Sequence, residues 1–212
     1  MKFTKLLTIL LLTSCFLYNC KQQDSGTATV ITQPADTTKT GVVKNTSYTT
    51  KGGERVMQME MIVESSVETL WNMHTNSTEL QTFMAPVIEV DFTVGGKWEA
   101  SYDLNAKIGN PDNIINEVVA YIPYRMLAIR TTKAPPGYAS DEVLKSLIAT
   151  IEFQNLGNGK VKVIESVIGW KNKEEFNKLW DVSLKANMGL FDCLQVRLKK
   201  GPLDWPKVLA TY

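Results

Sequence analysis

Hydrophobic and polar positions alternate strictly from Arg55: Met57, Met59, Met61 and Val63 point one way, Gln58 and Glu60 the other, which predicts a half-buried strand. The period then changes. "SSVETLWNMHTNSTELQTFM" predicts two short helices, the first capped by Ser65 or Ser66 with Glu68 placed for a capping box, the second opening at Asn76 or Ser77 with Glu79 in its first turn. After Pro86, short β-type runs are separated by turn signals: Val87 to Phe92, Lys97 to Leu104, Ile114 to Ile122, Tyr124 to Thr132, Leu147 to Gln154 and Val161 to Trp170. Gly95 and Gly96, "GNPDN", Pro123, "KAPPGYAS" and "LGNGK" punctuate them, "DEVLKS" offers one helical turn, and Gly157 and Gly159 are available for positive φ. A long helix from about Lys173 to Lys199 stops at Gly201 and Pro202. The class is therefore α+β: a curved antiparallel sheet of about six to seven strands whose apolar face needs a cover, and only the last helix is long enough to provide it.

That helix has an irregular apolar face. At about 100° per residue, Phe176, Trp180, Leu190, Phe191, Leu194 and Leu198 share one arc, while Asp181, Lys185, Asp192, Gln195 and Lys199 share the other. Ser183 and Asn187 fall in the middle of the apolar arc. A hydroxyl and a carboxamide in a dry core must find partners, so they either bond locally or face a ligand cavity between helix and sheet.

The N-terminal region follows another pattern. "MKFTKLLTILLLTSC" has a basic start and an apolar run of about nine residues, the length of a signal-peptide h-region and too short to span a bilayer. "LTSC", Leu12 to Cys15, resembles the bacterial lipobox, in which the cysteine is diacylated and becomes the mature N-terminus. Cys20 is the alternative, because "KQQDSG" after it reads as the polar start of a tether; a plain secretory signal is the third reading. The expected organisation is a lipoprotein signal and lipobox region over 1–20, a flexible Thr/Ser-rich tether over 21–53, and a folded domain over 54–212. The expected location is the bacterial cell envelope, membrane-anchored and facing the periplasm or the exterior.

With 212 residues, 44% hydrophobic and 21% charged, the chain has material for one sizeable core. The formal charge of +1 includes Lys2 and Lys5, so the processed chain falls to about −1, and no basic stripe favours nucleic acid. Three cysteines give no disulfide framework, and one histidine, His74, gives no zinc-type cluster; no metal or cofactor is expected. Cys193, at the edge of the apolar arc, reads as a small buried hydrophobe.

The order of elements, with "VESSVETLWNMHTNSTELQTFMAPV", "DFTVGGKWE", "INEVVAYIPYRMLAIRT", "ATIEFQNLGNGKVKVIE" and "LKKGPLDW", resembles the START-like (SRPBCC) helix-grip superfamily, and within it the homologues of the heat-shock ATPase activator. The resemblance covers about residues 54 to 207. It implies a helix-grip fold with a cavity for apolar or amphipathic small molecules, and it implies no single reaction, because relatives include carriers, cyclases, hydrolases and co-chaperones.

In that fold the inner face of the last helix lines the cavity. The candidate ligand contacts are Asn187 and Ser183 as orienting groups, with Trp180, Met188, Leu190 and Phe191 on the helix and Trp98, Tyr102, Met59 and Trp71 elsewhere; core filling is the competing reading for the methionine row and the aromatics. There is no nucleophile elbow, no placed Cys/His pair and no HExxH. Carboxylates at Glu60, Glu99, Asp103, Glu117, Glu152 and Glu165 lie on strands, and alternation sends Glu60 and Glu99 to solvent. His74, near the end of the first helix, reads as a solvated or capping residue, with a rim acid or base as the other option. The expected partner is a small hydrophobic or amphipathic molecule. The alternative is a protein-interaction or co-chaperone-like module whose cavity is incidental and whose protein partner is unknown.

Overall fold

Strand pairing begins earlier than alternation suggests. The computed structural model describes residues 39–210, and its elements in chain order are β1 (Lys44–Asn45), β2 (Tyr48–Thr49), β3 (Arg55–Glu64), α1 (Val67–Thr75), α2 (Ser77–Leu80), β4 (Val87–Val90), β5 (Lys97–Ser101), β6 (Ile114–Ile122), β7 (Met126–Lys133), α3 (Asp141–Ser146), β8 (Ile148–Gly157), β9 (Lys160–Trp170), α4 (Glu174–Lys200) and α5 (Trp205–Leu209). The sheet has nine strands in the order β1-β3-β9-β8-β7-β6-β5-β4, with β2 also on β3. All pairs are antiparallel. The strands expected from residue 55 onward are present, and β1 and β2 are the addition. They come from the expected tether, whose polar residues can still pair main chain along the exposed edge of β3. Gln195 Nε2 also donates to the Gly41 carbonyl, so the domain starts before residue 54. Cys15, Cys20 and the expected signal region lie outside the described residues.

The two helices after β3 have a topological task. Because β3 and β4 lie near opposite ends of the sheet, α1 and α2 carry the chain across it. Ser66 caps α1 by accepting from Thr69 N at 3.1 Å, which leaves Glu68 one position short of a capping box. Asn76 Oδ1 caps α2 through Thr78 N and Glu79 N. Arg197 on α4 then ties this corner down: its guanidinium meets Glu79 at 2.9 Å and Thr82 at 2.7 Å. The segment after Gly201 continues the clasp, with Leu203 N bonding to the Thr82 carbonyl and Trp205 Nε1 to the Gln81 carbonyl.

The core lies between the inward sheet face and α4. Met57, Met59 and Met61 are fully buried as one set, beside Val161, Val163 and Val167 of β9 and Phe176, Phe191 and Leu194 of α4. Register shifts in β3, β6 and the β8–β9 hairpin mark bulges, which bend a sheet that must wrap around a helix. At the end of β9, Gly169 has φ +92°, and a Cβ there would collide with the Ser146 carbonyl oxygen; glycine lets the strand pass α3 and deliver Trp170 to the core.

Alternation misplaces one carboxylate. Glu99 does face away from the apolar side of β5, yet it is only 1% exposed, because the segment after Ser101 folds over it. Its carboxylate accepts from Lys97 Nζ at 2.6 Å, from Asn113 Nδ2 at 2.6 Å and from the Gly109 backbone. Burial raises its carboxyl pKa, but these donors outweigh burial and hold it below the ordinary carboxylate value. Glu60 pairs with Lys162 at 3.4 Å.

Candidate functional site

A cavity of about 220 Å³ lies between α4 and strands β7, β8 and β9. Its α4 wall is Leu179, Ser183, Ala186, Asn187, Leu190 and Leu194, a single helical face at spacings of three and four residues, together with the neighbouring Phe191. The sheet contributes Ile129 and Thr131 from β7, Ala149 and Ile151 from β8, and Val163, Glu165, Val167 and Trp170 from β9. Tyr138, Leu144 and Leu147 close one side, and His74, Phe83 and Met84 another.

The two polar residues on the apolar arc therefore face this space. Ser183 shares the cavity wall with Tyr138, close enough for its hydroxyl to act on the phenol. Burial pushes the Tyr138 phenol up, and the Ser183 hydroxyl partly opposes it. Among the described residues Asn187 has only a long contact, Nδ2 to the Met57 sulfur at 3.8 Å, and thioether sulfur is a weak acceptor.

Of the ten candidate contacts, the structure brings Asn187, Ser183, Leu190 and Phe191 together on the cavity wall. It places the other six elsewhere. Trp180 packs edge-on against Trp170, with the Arg55 guanidinium 4.0 Å from its ring centroid, because its arc position points to the edge of β3. Met188 packs on the core beside that wall. Met59 and Trp98 are fully buried within the core. Trp71 joins an aromatic group with Phe92, Tyr121, Tyr124 and Phe153 at ring distances of 5.6 to 6.3 Å. Tyr102 lies one residue beyond β5 and off the cavity wall, and its ring meets Trp205 of α5.

Two further ionisable residues, His74 and Glu165, stand on the cavity wall. His74 is 3% exposed, stacked edge-on between Phe83 and Phe153, and its Nδ1 donates to the Leu70 carbonyl at 2.7 Å. It neither caps α1 nor meets solvent. Burial pushes its pKa down to about 4, against the raising effect of the Leu70 bond, so the ring is neutral at pH 7 with Nε2 as an acceptor. Glu165 is 9% exposed and sits across from Met59 on one side and Ile151 on the other. Burial pushes its pKa up to about 8. The run Val161, Val163, Glu165, Val167 carried the signal: the carboxylate occupies an inward place in an alternating apolar series.

A bent antiparallel sheet holding one long helix over a lined cavity is a helix-grip domain of the START-like class. Residues 64–191, more than half of the chain, match the family described as Activator of Hsp90 ATPase homolog 1-like protein, and the chain belongs to that family. Among solved structures, the Aha1 dimer from Colwellia psychrerythraea is similar at 13% identity and a TM-score of 0.53, over 69% of this chain and 97% of that one. A conserved protein of unknown function from Enterococcus faecalis matches at 16% identity and TM-score 0.51, over 79% and 86%. CalU16 from Micromonospora echinospora matches at 15% and 0.50, over 80% and 89%. At these identities the likeness is one of fold. No curated protein matches the chain in sequence.

Proposed function

We propose that the domain binds a small hydrophobic or amphipathic molecule in the cavity between α4 and the sheet, with Asn187 and Ser183 orienting it. The observation that carries this reading is a largely apolar cavity of about 220 Å³ with a few convergent polar groups, the usual makeup of a small-molecule site. Apolar burial would supply most of the affinity, on the order of 25 cal/mol per Å² before ordering costs. Family membership is in keeping with a ligand-binding or co-chaperone-like module.

Asn187→Leu tests the orienting role. Its amide is poorly partnered, so the variant is expected to gain up to about 1 kcal/mol in urea unfolding and to lose affinity for probes with a polar head. Raised stability with unchanged binding would reduce Asn187 to a core group.

We further propose that the domain is carried on the cell envelope by a lipid on Cys15, with Cys20 as the alternative. The motif supports this; among the described residues no helix is long and apolar enough to cross a membrane. Radiolabelled palmitate should enter the wild-type chain and not Cys15→Ala; label retained in that variant and lost in Cys20→Ala would move the anchor.

A second reading, a co-chaperone-like module, draws on the family's description and on Ile122 and Tyr124, which stand exposed at the β6–β7 turn beside the Trp71 aromatic group. On an exported chain it ranks below the first, because an ATP-driven partner has no ready ATP supply outside the cytoplasm.

A further inference from the structure

We infer that Glu165 pairs with a positively charged nitrogen of the bound molecule, so that the cavity selects an amphipathic amine over a neutral or acidic molecule of the same shape; this rests on the cavity being a binding site. Glu165 is more than nine-tenths buried and faces the cavity, and among the described residues its carboxyl has no hydrogen bond or ion pair. Glu99, also buried, shows what this protein does with an internal carboxylate when the partner is its own: a lysine, an asparagine and a backbone amide converge on it. Among the described residues no lysine or arginine lines the cavity. A buried carboxylate needs a cation or several donors, and here only an entering molecule is placed to bring them.

The surrounding groups suit a donor-rich head. A primary ammonium has three N–H donors and no acceptor. Besides Glu165, the wall carries His74, whose Nδ1 proton is committed to the Leu70 carbonyl and whose Nε2 is left as an acceptor, and Asn187, whose amide nitrogen is turned to Met57. The titratable groups on the cavity wall with Glu165 are His74 from α1 and Tyr138 from the segment between β7 and α3, and Tyr102 after β5 is near enough to feel its charge, as it feels Cys193 of α4. None is cationic at neutral pH: burial holds His74 neutral and pushes both phenols up. A cavity of about 150 Å³ admits benzene, so about 220 Å³ suits a body of roughly ten non-hydrogen atoms.

The pairing has a proton signature. Without a cation, burial keeps Glu165 protonated at pH 7. An ammonium entering from water ionises it, and the carboxyl proton passes to the buffer, so close to one proton is released per amine bound.

Titration calorimetry of the full chain at pH 7, in two buffers of different ionisation enthalpy, tests this with n-octylamine, octan-1-ol and octanoate. Octylamine is expected to bind at least about tenfold more tightly than octanol, with proton release, and octanoate more weakly than either. Glu165→Gln is expected to remove the amine's advantage and the proton release while octanol binding persists, which also reports that the variant is folded. Equal binding of amine and alcohol without proton release overturns the inference and leaves the cavity reading standing. Binding of none of the three overturns both.

Discussion

Replacing Glu165 with leucine is expected to stabilise the ligand-free protein, by little at pH 4 and by a few kcal/mol at pH 9. The unfolded chain ionises this carboxyl near the ordinary value of 4.5, whereas the folded chain holds the proton up to about 8. Between those values the unfolded state binds fewer protons, so wild-type stability falls as pH rises through the window and levels off above it. Each unit of the displacement corresponds to roughly 1.4 kcal/mol, an upper bound where water can reach the group. His74 acts in the other direction. Its folded value of about 4 lies below the ordinary 6.5, so its contribution is present above pH 6.5 and is lost as pH falls through 4. The two effects oppose each other between pH 4.5 and 6.5, which leaves pH 6.5 to 8 as the interval where Glu165 acts alone. Urea unfolding at pH 4, 7 and 9 should show the leucine variant losing the alkaline decline and keeping the acid one. Parallel pH curves for the two proteins would mean that Glu165 is solvated in the native state.

Trp98→Ala is expected to cost about 3–5 kcal/mol without altering cavity binding. Trp98 is 1% exposed on β5, paired across strands with Val90 and Asn116. It packs in the core but not on the cavity wall, so truncation leaves a void that nearby β-structure cannot collapse to fill. A lowered urea midpoint with unchanged probe affinity, measured below the unfolding transition, is the expected pair of results. A variant of near wild-type stability that no longer binds would return Trp98 to the site.

Much of this architecture is written in local pattern. The alternation of Met57, Met59, Met61 and Val63, the stop at Gly201 and Pro202, and the "LGNGK" hairpin, where Gly157 and Gly159 adopt φ +79° and +70°, are short-range features and appear where the sequence puts them. The same holds for the placement of Ser183 and Asn187, because a helix wheel needs only the helix and the side it buries. What pattern cannot carry is how distant segments cover one another. Glu99 looks solvent-bound by alternation and is buried by a loop that closes ten residues later at Gly109. Lys44 to Thr49 reads as tether because main-chain pairing on an edge asks nothing of side chains. Trp180 and Phe191 share one arc, yet the length of α4 sends the first to Trp170 and Arg55 at one end and the second to the cavity. Tyr138 sits in a Pro/Gly-rich stretch with no periodicity, so nothing local announces that it shares the cavity wall with Ser183. Glu165 was legible in principle, from its place among Val161, Val163 and Val167, once β9 was known to keep its register.

The most direct measurement is native mass spectrometry of the full chain isolated from its own cells, compared with Ala186→Phe, which projects a ring from the middle of the α4 wall into the cavity. Wild type is expected to carry a small molecule, or to take one up from a mixed lipid and metabolite extract, and the phenylalanine variant, folded by circular dichroism, is expected to stay empty. A wild-type chain that stays empty against that extract, or a variant that retains the same mass, would contradict a binding role for the cavity.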